Sequence, residues 1–414
     1  MTTLEVLWDS FGSAAEPILV GQAHITRSRG RISTTFLYDP GYLAADGMSI
    51  DPALPLVSGA QHQGSLVRAF GDSAPDRWGR NLIEKAERAR AREHGSVPRR
   101  LDDLDFLLGV SDDTRQGALR FRIAGGTEFL GAPAQVPPVI SLPELLDAAD
   151  ALAADDDASS AVKQLLDTGT TGLGGARPKA SVRLEDGALA IAKFPHPGDR
   201  WDVMAWEATA LDLLESAGIR TPRRRLTRVG DRSVLLLRRF DRNADQRRIG
   251  YISAMTMLGA DDGEHRDYAD IADGIRDHSR SPKDDHHELF DRVVMNVGIG
   301  NTDDHLRNHG FLAGPGGWAL SPVFDVNPTP DAWRERATSI MGADTMADEA
   351  DALLALCEEC SLQPEQARER MVWISDVLAG WREAARRNGI REQEITLMAE
   401  GIELRRTALR RTMG

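Results

Sequence analysis

The period of the apolar positions changes along the chain, and the change divides it. Over residues 1 to about 60, short apolar pieces at Leu4 to Trp8, Ile18 to Val20 and Thr34 to Tyr38 alternate with Gly, Pro and Asp turns, which predicts a small β-rich unit. Residues 64 to 110 change to helical spacing, interrupted by the turn-rich FGDSAPDRWGR, where Trp78 reads as a packing anchor. Gln116 to Phe129 predicts a strand pair, and APAQVPPVISLP after it a linker. LPELLDAADALAADDDASSAVKQLLDTG is helical, with a solvated acidic bend at Asp155 to Asp157. Ala180 to Leu184 and Leu189 to Phe194 form a hairpin around Asp186-Gly187, a strong turn signal. The helix WDVMAWEATALDLLESAG follows, capped at Gly218, and then a wholly apolar strand, Val234 to Leu237, of the kind buried on both faces.

From Tyr251 onward the pattern is overwhelmingly helical. Leu289, Phe290, Val293, Val294 and Val297 recur on one face, so a buried helix over Asp285 to Val297 delivers the polar loop behind it. Phe311 and Leu312, the turn GPGG, and Trp318 to Phe324 read as an outgoing and a returning strand, with Asp325 at the end of the second. Pro364 starts a helix carrying Met371, Ile374, Val377 and Leu378, and Gly389 ends another. No internal repeat is present.

Composition narrows this picture. The 414 residues suffice for two or three domains, and 41% hydrophobic with 28% charged residues is a globular composition. A net charge of -14 argues against wholesale nucleic-acid binding, so DNA contact would come from a local patch or a partner. No apolar run approaches the ~18 residues of a membrane span, and MTTLEVLWDS lacks the basic start and apolar core of a signal peptide. Cys357 and Cys360 are the only cysteines, which points to a reducing cytoplasm. Their C-x-x-C lies in a helical pattern without a second ligand pair, against a zinc or redox site.

The candidate chemistry concentrates in GIGNTDDHLRNHGFLAGPGGWALSPVFDVN, residues 298–327, where Asp303, Asp304, His305, Asn308 and Asp325 crowd together. An Asp five residues before an Asn, then an Asp set among apolar residues, is the set that metal-assisted phosphoryl transfer requires. One carboxylate orients the attacking hydroxyl, and an amide oxygen with a second carboxylate holds Mg²⁺ against nucleotide phosphates. The plain alternative is turn and cap chemistry, which fits each residue singly better than it fits the set. Upstream, the glycine-dense 169–179 stretch fits neither the Walker nor the Rossmann fingerprint. The hairpin after it, however, places Lys193 on one face with Leu189 and Ile191. An ammonium there is costly unless an anion meets it, and glycine-rich turn, hairpin and inward Lys is the arrangement that pairs ATP phosphates in kinase-like lobes; a snorkelling edge lysine is the less favoured alternative. Glu207, early in the next helix, is a candidate partner for Lys193. Arg220, Arg223, Arg224, Arg225 and Arg228 read as a solvated hairpin face more readily than as a DNA or acidic-partner site.

Five segments, GGARPKA (174–180), AIAKFP (190–195), LLRRFDR (236–242), NTDDHLRNHGF (301–311) and SPVFDVNP (321–328), resemble the HipA-like serine/threonine kinase toxins. FGDSAPDRWGR and GALRF (117–121) resemble the same family's N-terminal region, and together the motifs cover about residues 15 to 330. The resemblance implies an α+β, two-lobed protein-kinase-like fold with an extra N-terminal β-rich subdomain and an all-helical C-lobe, divided at residues 1–130, 131–240 and 241–414. It implies ATP and Mg²⁺, Ser/Thr phosphorylation of a protein, an aminoacyl-tRNA synthetase among the substrates of such kinases, and restraint by a HipB-like helix-turn-helix antitoxin that carries the DNA binding. By position it makes Asp303 the catalytic aspartate and Asn308 with Asp325 the metal pair. Gly174, Gly175, Ala176, Lys193, Arg238, Phe240 and His305 become the nucleotide-binding set, with Arg238 and Phe240 at the hinge. Two departures stand out. Gly172 occupies the place of the family's autophosphorylated Ser, leaving Thr170 or Thr171 as substitutes, and Arg238 replaces a hinge Glu. Two other functions are compatible with the same residues: a small-molecule kinase, and a non-catalytic co-repressor partner of a DNA-binding antitoxin.

Overall fold

The structure is a computed structural model and describes residues 1–9, 16–28, 30–45, 47–131, 134–154, 159–169 and 177–411. The chain falls into two compact units. The first comprises Met1–Gly198 with Val229–Arg232 and Leu236–Ile252. The second comprises Asp199–Arg228 with Ser233–Leu235 and Ser253–Gly414.

In the first unit, β1 (Thr2–Trp8), β2 (Ile18–Ser28), β3 (Arg31–Tyr38), β4 (Gln61–Gln63) and β5 (Leu119–Ile123) form a sheet in the order β4-β3-β2-β1-β5. Period-two burial puts Leu4, Val6, Ala23, Ile25 and Phe36 on the inner face, where Phe70 packs against Phe36 and Phe121 with ring centroids 6.2 and 5.0 Å away. β2 runs eight residues beyond the predicted Val20. Gly21 looks like a turn residue, yet it is a close-approach position: a Cβ there would lie 2.1 Å from the Leu37 carbonyl oxygen across the ladder. The strand pair expected over Gln116 to Phe129 is one strand, β5. Its ladder partner is the distant β1, with Phe121 opposite Val6, and no local return strand forms.

Of the predicted linker, the described residues from 134 are tied down, and Val139–Ser141 already form a 3-10 turn. Gln135 N donates to Asp167 O at 2.7 Å and Arg183 N to Pro137 O at 2.9 Å, before the helices Leu142–Ala154 and Ser159–Asp167. The acidic bend lies outside the described residues. β6 (Lys179–Arg183) and β7 (Leu189–Lys193) make the predicted hairpin, and β9 (Arg232–Arg238) lies beside β7. Trp78 is the expected anchor: it is buried and donates Nε1–H to Lys179 O at 3.2 Å.

The end of β9 carries the densest buried charge of this unit. Asp241 accepts from Arg239 Nη2 at 2.5 Å, Arg242 Nη1 at 2.9 Å and the Gly117 amide at 2.8 Å. The same arginines reach back to the carbonyls of Thr114 and Arg115. Burial by itself would raise the Asp241 carboxyl, but Arg239 and Arg242 hold it well below the usual carboxylate range. Burial also lowers Arg242 to about 9 despite Asp241 beside it.

The second unit is predominantly helical. Val203–Ser216 is capped by Asp202, whose carboxylate accepts from Ala205 N at 3.0 Å, and it is apolar nearly all round because it runs through the core. Trp206 meets Trp381 there with ring centroids 6.1 Å apart. The unit also holds helices Ala254–Met257, Tyr268–His278, Pro282–Ile299, Met346–Glu359, Pro364–Leu378, Trp381–Arg387 and Glu392–Arg411, together with the hairpin Gly310–Gly314 and Gly317–Leu320. The arginine-rich stretch is largely spent inside this unit. Arg224 bonds Asp212 and Glu215, and Arg220 bonds Glu288 at 2.6 Å. Cys357 and Cys360 are buried free thiols, and burial pushes both thiols up in pKa. Among the described residues, no helix is long and apolar enough to cross a membrane.

Removing Asp241 leaves two buried guanidinium groups without their carboxylate. Asp241→Ala should lower stability by about 3–5 kcal/mol in urea unfolding of the full chain. An unshifted midpoint would show that the cluster contributes no stability.

Candidate functional site

Helix Pro282–Ile299 ends at Gly300 in the left-handed region, φ 72°, and the Asn301 amide closes the turn onto Asn296 O at 2.9 Å. This cap turns the chain into the loop 301–309, which two other segments hold in place. Asn301 Oδ1 accepts from the Asn327 amide at 3.3 Å, and Gly300 O accepts from the Thr329 amide at 3.1 Å, which fixes the segment containing Asp325. Arg336 Nη1 donates to Asn301 O at 2.9 Å, the Ala337 amide to Thr302 O at 2.9 Å, and Thr338 Oγ1 to Asp304 O at 2.6 Å.

Within this frame the adjacent aspartates separate completely. Asp303 turns outward with its side chain 65% exposed, whereas Asp304 is buried. Asn308 is buried and donates Nδ2–H to the Asp303 carbonyl at 3.1 Å, which joins the two predicted site residues and leaves Oδ1, a hard oxygen, as the amide atom suited to a cation. Asp325 is half-buried at φ 59° and its Oδ1 accepts from Asn327 Nδ2 at 3.2 Å. It does not sit where the returning strand ends. That strand stops at Leu320, and residues 321–327 cross towards Asn301 as irregular chain bonded through backbone and amide groups. His305 is exposed.

Asp304, Tyr268, Asn296 and His309 form the buried network under the loop. Asp304 Oδ2 accepts from the Tyr268 hydroxyl, from Asn296 Nδ2 at 2.7 Å and from His309 Nε2 at 3.0 Å. Burial would raise the Asp304 carboxyl, but the charge and hydrogen bond of His309, the Tyr268 hydroxyl and the Arg336 guanidinium together lower it to about 2. Arg336 is itself buried and paired with Glu349 at 2.8 Å. Of this network only Asp304 stood out in the sequence. Tyr268 and Arg336 lie more than thirty positions away, with no local signal to connect them.

In the first unit, Lys193 is buried at the end of β7, directly across the ladder from Lys179. Lys179 is buried as well, 3.6 Å from Asp76 of the FGDSAPDRWGR segment, so that segment supplies a carboxylate as well as the Trp78 anchor. Arg238 bonds Asp186 in the β6–β7 turn at 2.7 Å, and Phe240 stacks obliquely on Tyr251 with ring centroids 6.4 Å apart. Gly174, Gly175, Ala176 and the candidate phosphoacceptors Thr170 and Thr171 lie outside the described residues. Glu207 is buried in Val203–Ser216. Among the described residues no group of three or more His, Cys, Asp or Glu is arranged for a metal. Asn308 and Asp325 are a different kind of set, one amide and one carboxylate, which suits a Mg²⁺ ion that keeps substrate phosphates and waters as its other ligands.

The fold is that of an α+β chain of the protein-kinase-like class with an added N-terminal β-rich subdomain. The family described as HipA-like C-terminal domain matches residues 171–381, and that described as HipA N-terminal domain matches residues 18–122. The chain belongs to the HipA family. It is similar over 99% of its length to HipA in the Shewanella oneidensis MR-1 complex of HipA, HipB and operator DNA. That match has a TM-score of 0.68 and 14% identity and covers 97% of the other chain. The Helicobacter pylori proinflammatory kinase CtkA overlays with a TM-score of 0.40 and 17% identity, over 57% of this chain and 93% of that one. No curated protein matches the sequence.

The Asp304 network generates a pH prediction. The folded carboxyl titrates near 2 against an ordinary 3.8, so its contribution is fully present above about pH 4 and is lost as pH falls towards 2. The shift corresponds to about 2 kcal/mol. Wild type minus Asp304→Asn, compared by urea unfolding between pH 6 and pH 2.5, should shrink by about that amount; a constant difference would contradict the network.

Proposed function

We propose that this protein is an ATP- and Mg²⁺-dependent serine/threonine protein kinase that acts as the toxin of a HipA/HipB-type pair. The observation that carries the reading is the loop 301–309 in a HipA-family chain: an exposed Asp303 on a braced backbone, with Asn308 bonded to its carbonyl and the Asp325 segment tied to the loop's first residue. That is the arrangement of a base and a cation pair prepared before substrate arrives.

Bound Mg-ATP supplies the phosphoryl group and the cation that spreads its charge. Asn308 Oδ1 and the Asp325 carboxylate would hold that cation, and Lys193 with the amides of Gly174, Gly175 and Ala176 would hold phosphate. Arg238, Phe240 and His305 are each proposed as nucleotide contacts. Asp303 would orient the substrate hydroxyl and take its proton as the hydroxyl oxygen bonds to the γ-phosphorus and the bond from that phosphorus to the bridging oxygen breaks, with ADP as the leaving group. Asp304 stays buried and ionised, so it fixes the loop and leaves the chemistry to its neighbour.

The substrate is a protein, with an aminoacyl-tRNA synthetase as the first candidate, and Thr170 or Thr171 is the candidate site of autophosphorylation. A HipB-like helix-turn-helix antitoxin is the proposed partner, a reading supported by the Shewanella HipA that was solved with HipB and operator DNA. DNA contact would then come mainly through the antitoxin, as the net charge of -14 favours.

Asp303→Asn and Asp325→Asn should each reduce transfer from [γ-³²P]ATP to protein by about 10²- to 10⁴-fold while the thermal midpoint changes little at the exposed Asp303. Labelling at wild-type level by either variant would refute the assignment. Label appearing on a sugar or aminoglycoside panel instead of on protein would make this a small-molecule kinase.

A further inference from the structure

Eight residues after Asp325 begins a feature that the phosphoryl-transfer apparatus does not use. Trp333 is 73% exposed, more than any other tryptophan of the chain. A single exposed apolar residue is unremarkable in itself. What distinguishes this one is that its backbone is clamped on both sides. Before it, Ala332 is buried and its carbonyl accepts from Arg405 Nη2 at 3.1 Å, and the Trp333 amide bonds Asp331 Oδ1 at 3.0 Å. After it come the buried Arg336, bonded to Asn301 O and Glu349, and the Ala337 amide on Thr302 O. The backbone of the tip 333–335 is therefore held beside the first residues of the loop that carries Asp303, with the indole on the solvent side.

The next residue reaches the candidate base directly. Arg334 Nη2 lies 3.6 Å from Asp303 Oδ1, with the two side chains 52% and 65% exposed. An ion pair this open contributes little, because water screens it and both side chains lose freedom in making it. It is also easily exchanged. A carboxylate arriving with the substrate can take the guanidinium from Asp303 at small net cost and free Asp303 to meet the hydroxyl. Arg307, four residues along the same loop, is engaged elsewhere, 3.6 Å from Asp262 Oδ1, which leaves Arg334 as the guanidinium beside Asp303.

We infer that the Trp333–Arg334 tip reads the substrate, and that the substrate is a polypeptide segment with an acidic residue next to its phosphoacceptor Ser or Thr. The carboxylate draws Arg334 away from Asp303, and the flanking chain lies against the Trp333 indole. This deepens the kinase reading of the same site and rests on it. The tip makes Trp333 and Arg334 specificity-determining residues for a polypeptide. The indole offers a broad apolar platform suited to an extended chain, and one guanidinium selects a single charge.

The test uses the full chain and serine peptides that differ only in the residues flanking the serine, carrying Asp, Ala or Lys, with Asp303→Asn as the blank. Wild type should favour Asp over Lys by about 3- to 10-fold in kcat/KM, less at high salt. Arg334→Glu should invert the order, and Trp333→Ala should raise KM for every peptide by about 3- to 10-fold without moving KM for ATP. Both positions are exposed, so thermal midpoints should match wild type. The same flanking preference in wild type and Arg334→Glu, or a Trp333→Ala effect confined to ATP, overturns this inference and leaves the kinase reading intact. No transfer above the blank to any peptide or protein overturns both.

Discussion

A polar loop can be rigid in water only if something buried holds its backbone, and in the second unit that holding is done by Asp304 and Arg336. Asp304 collects a hydroxyl, an amide and an imidazole donor, and Arg336 spans Glu349 and the Asn301 carbonyl. Each charge is removed from water yet paired, the condition under which a buried charge specifies a conformation instead of disrupting it. Everything exposed on the loop, Asp303 first, inherits its position from these two. Adjacent aspartates thereby take opposite parts, one as buried scaffold and one facing solvent.

The first unit uses the same device. Asp241 sits between Arg239 and Arg242, and both arginines reach the carbonyls of the turn at Thr114 and Arg115. A segment matched by the HipA N-terminal family is thus bonded to the end of β9, in the LLRRFDR motif of the C-terminal family match. Trp78 and Asp76 make a second such junction at Lys179, on the strand that follows the glycine-rich stretch. The N-terminal region is therefore built into the hairpin that carries Lys193, and it shares its hydrogen bonds and its buried charge.

The HipA-family relation places these features without exhausting them. The similarity to the Shewanella protein extends over nearly the whole chain at 14% identity, so the fold persists where most side chains have changed. Conservation of fold leaves substrate choice to a few exposed residues. Trp333 and Arg334, proposed above to read the substrate, are exposed residues between clamps at Ala332 and Arg336 on a segment with no regular secondary structure of its own.

What the sequence determined by itself was local. Turn chemistry at Asp186-Gly187, helical spacing before Gly300, and the cluster Asp303, Asp304, Asn308 all express themselves within a few residues, and each element formed where its pattern lay. The β2 continuation past Gly21 and the single strand at Leu119 were invisible because their causes are ladder partners elsewhere in the chain. Which of two neighbouring aspartates faces water was equally undetermined, since the donors that bury Asp304 come from Tyr268, Asn296 and His309 and the brace from Arg336. Only the tertiary structure brings such groups together, because solvation of a charge depends on what surrounds it in space and not on what precedes it in the chain.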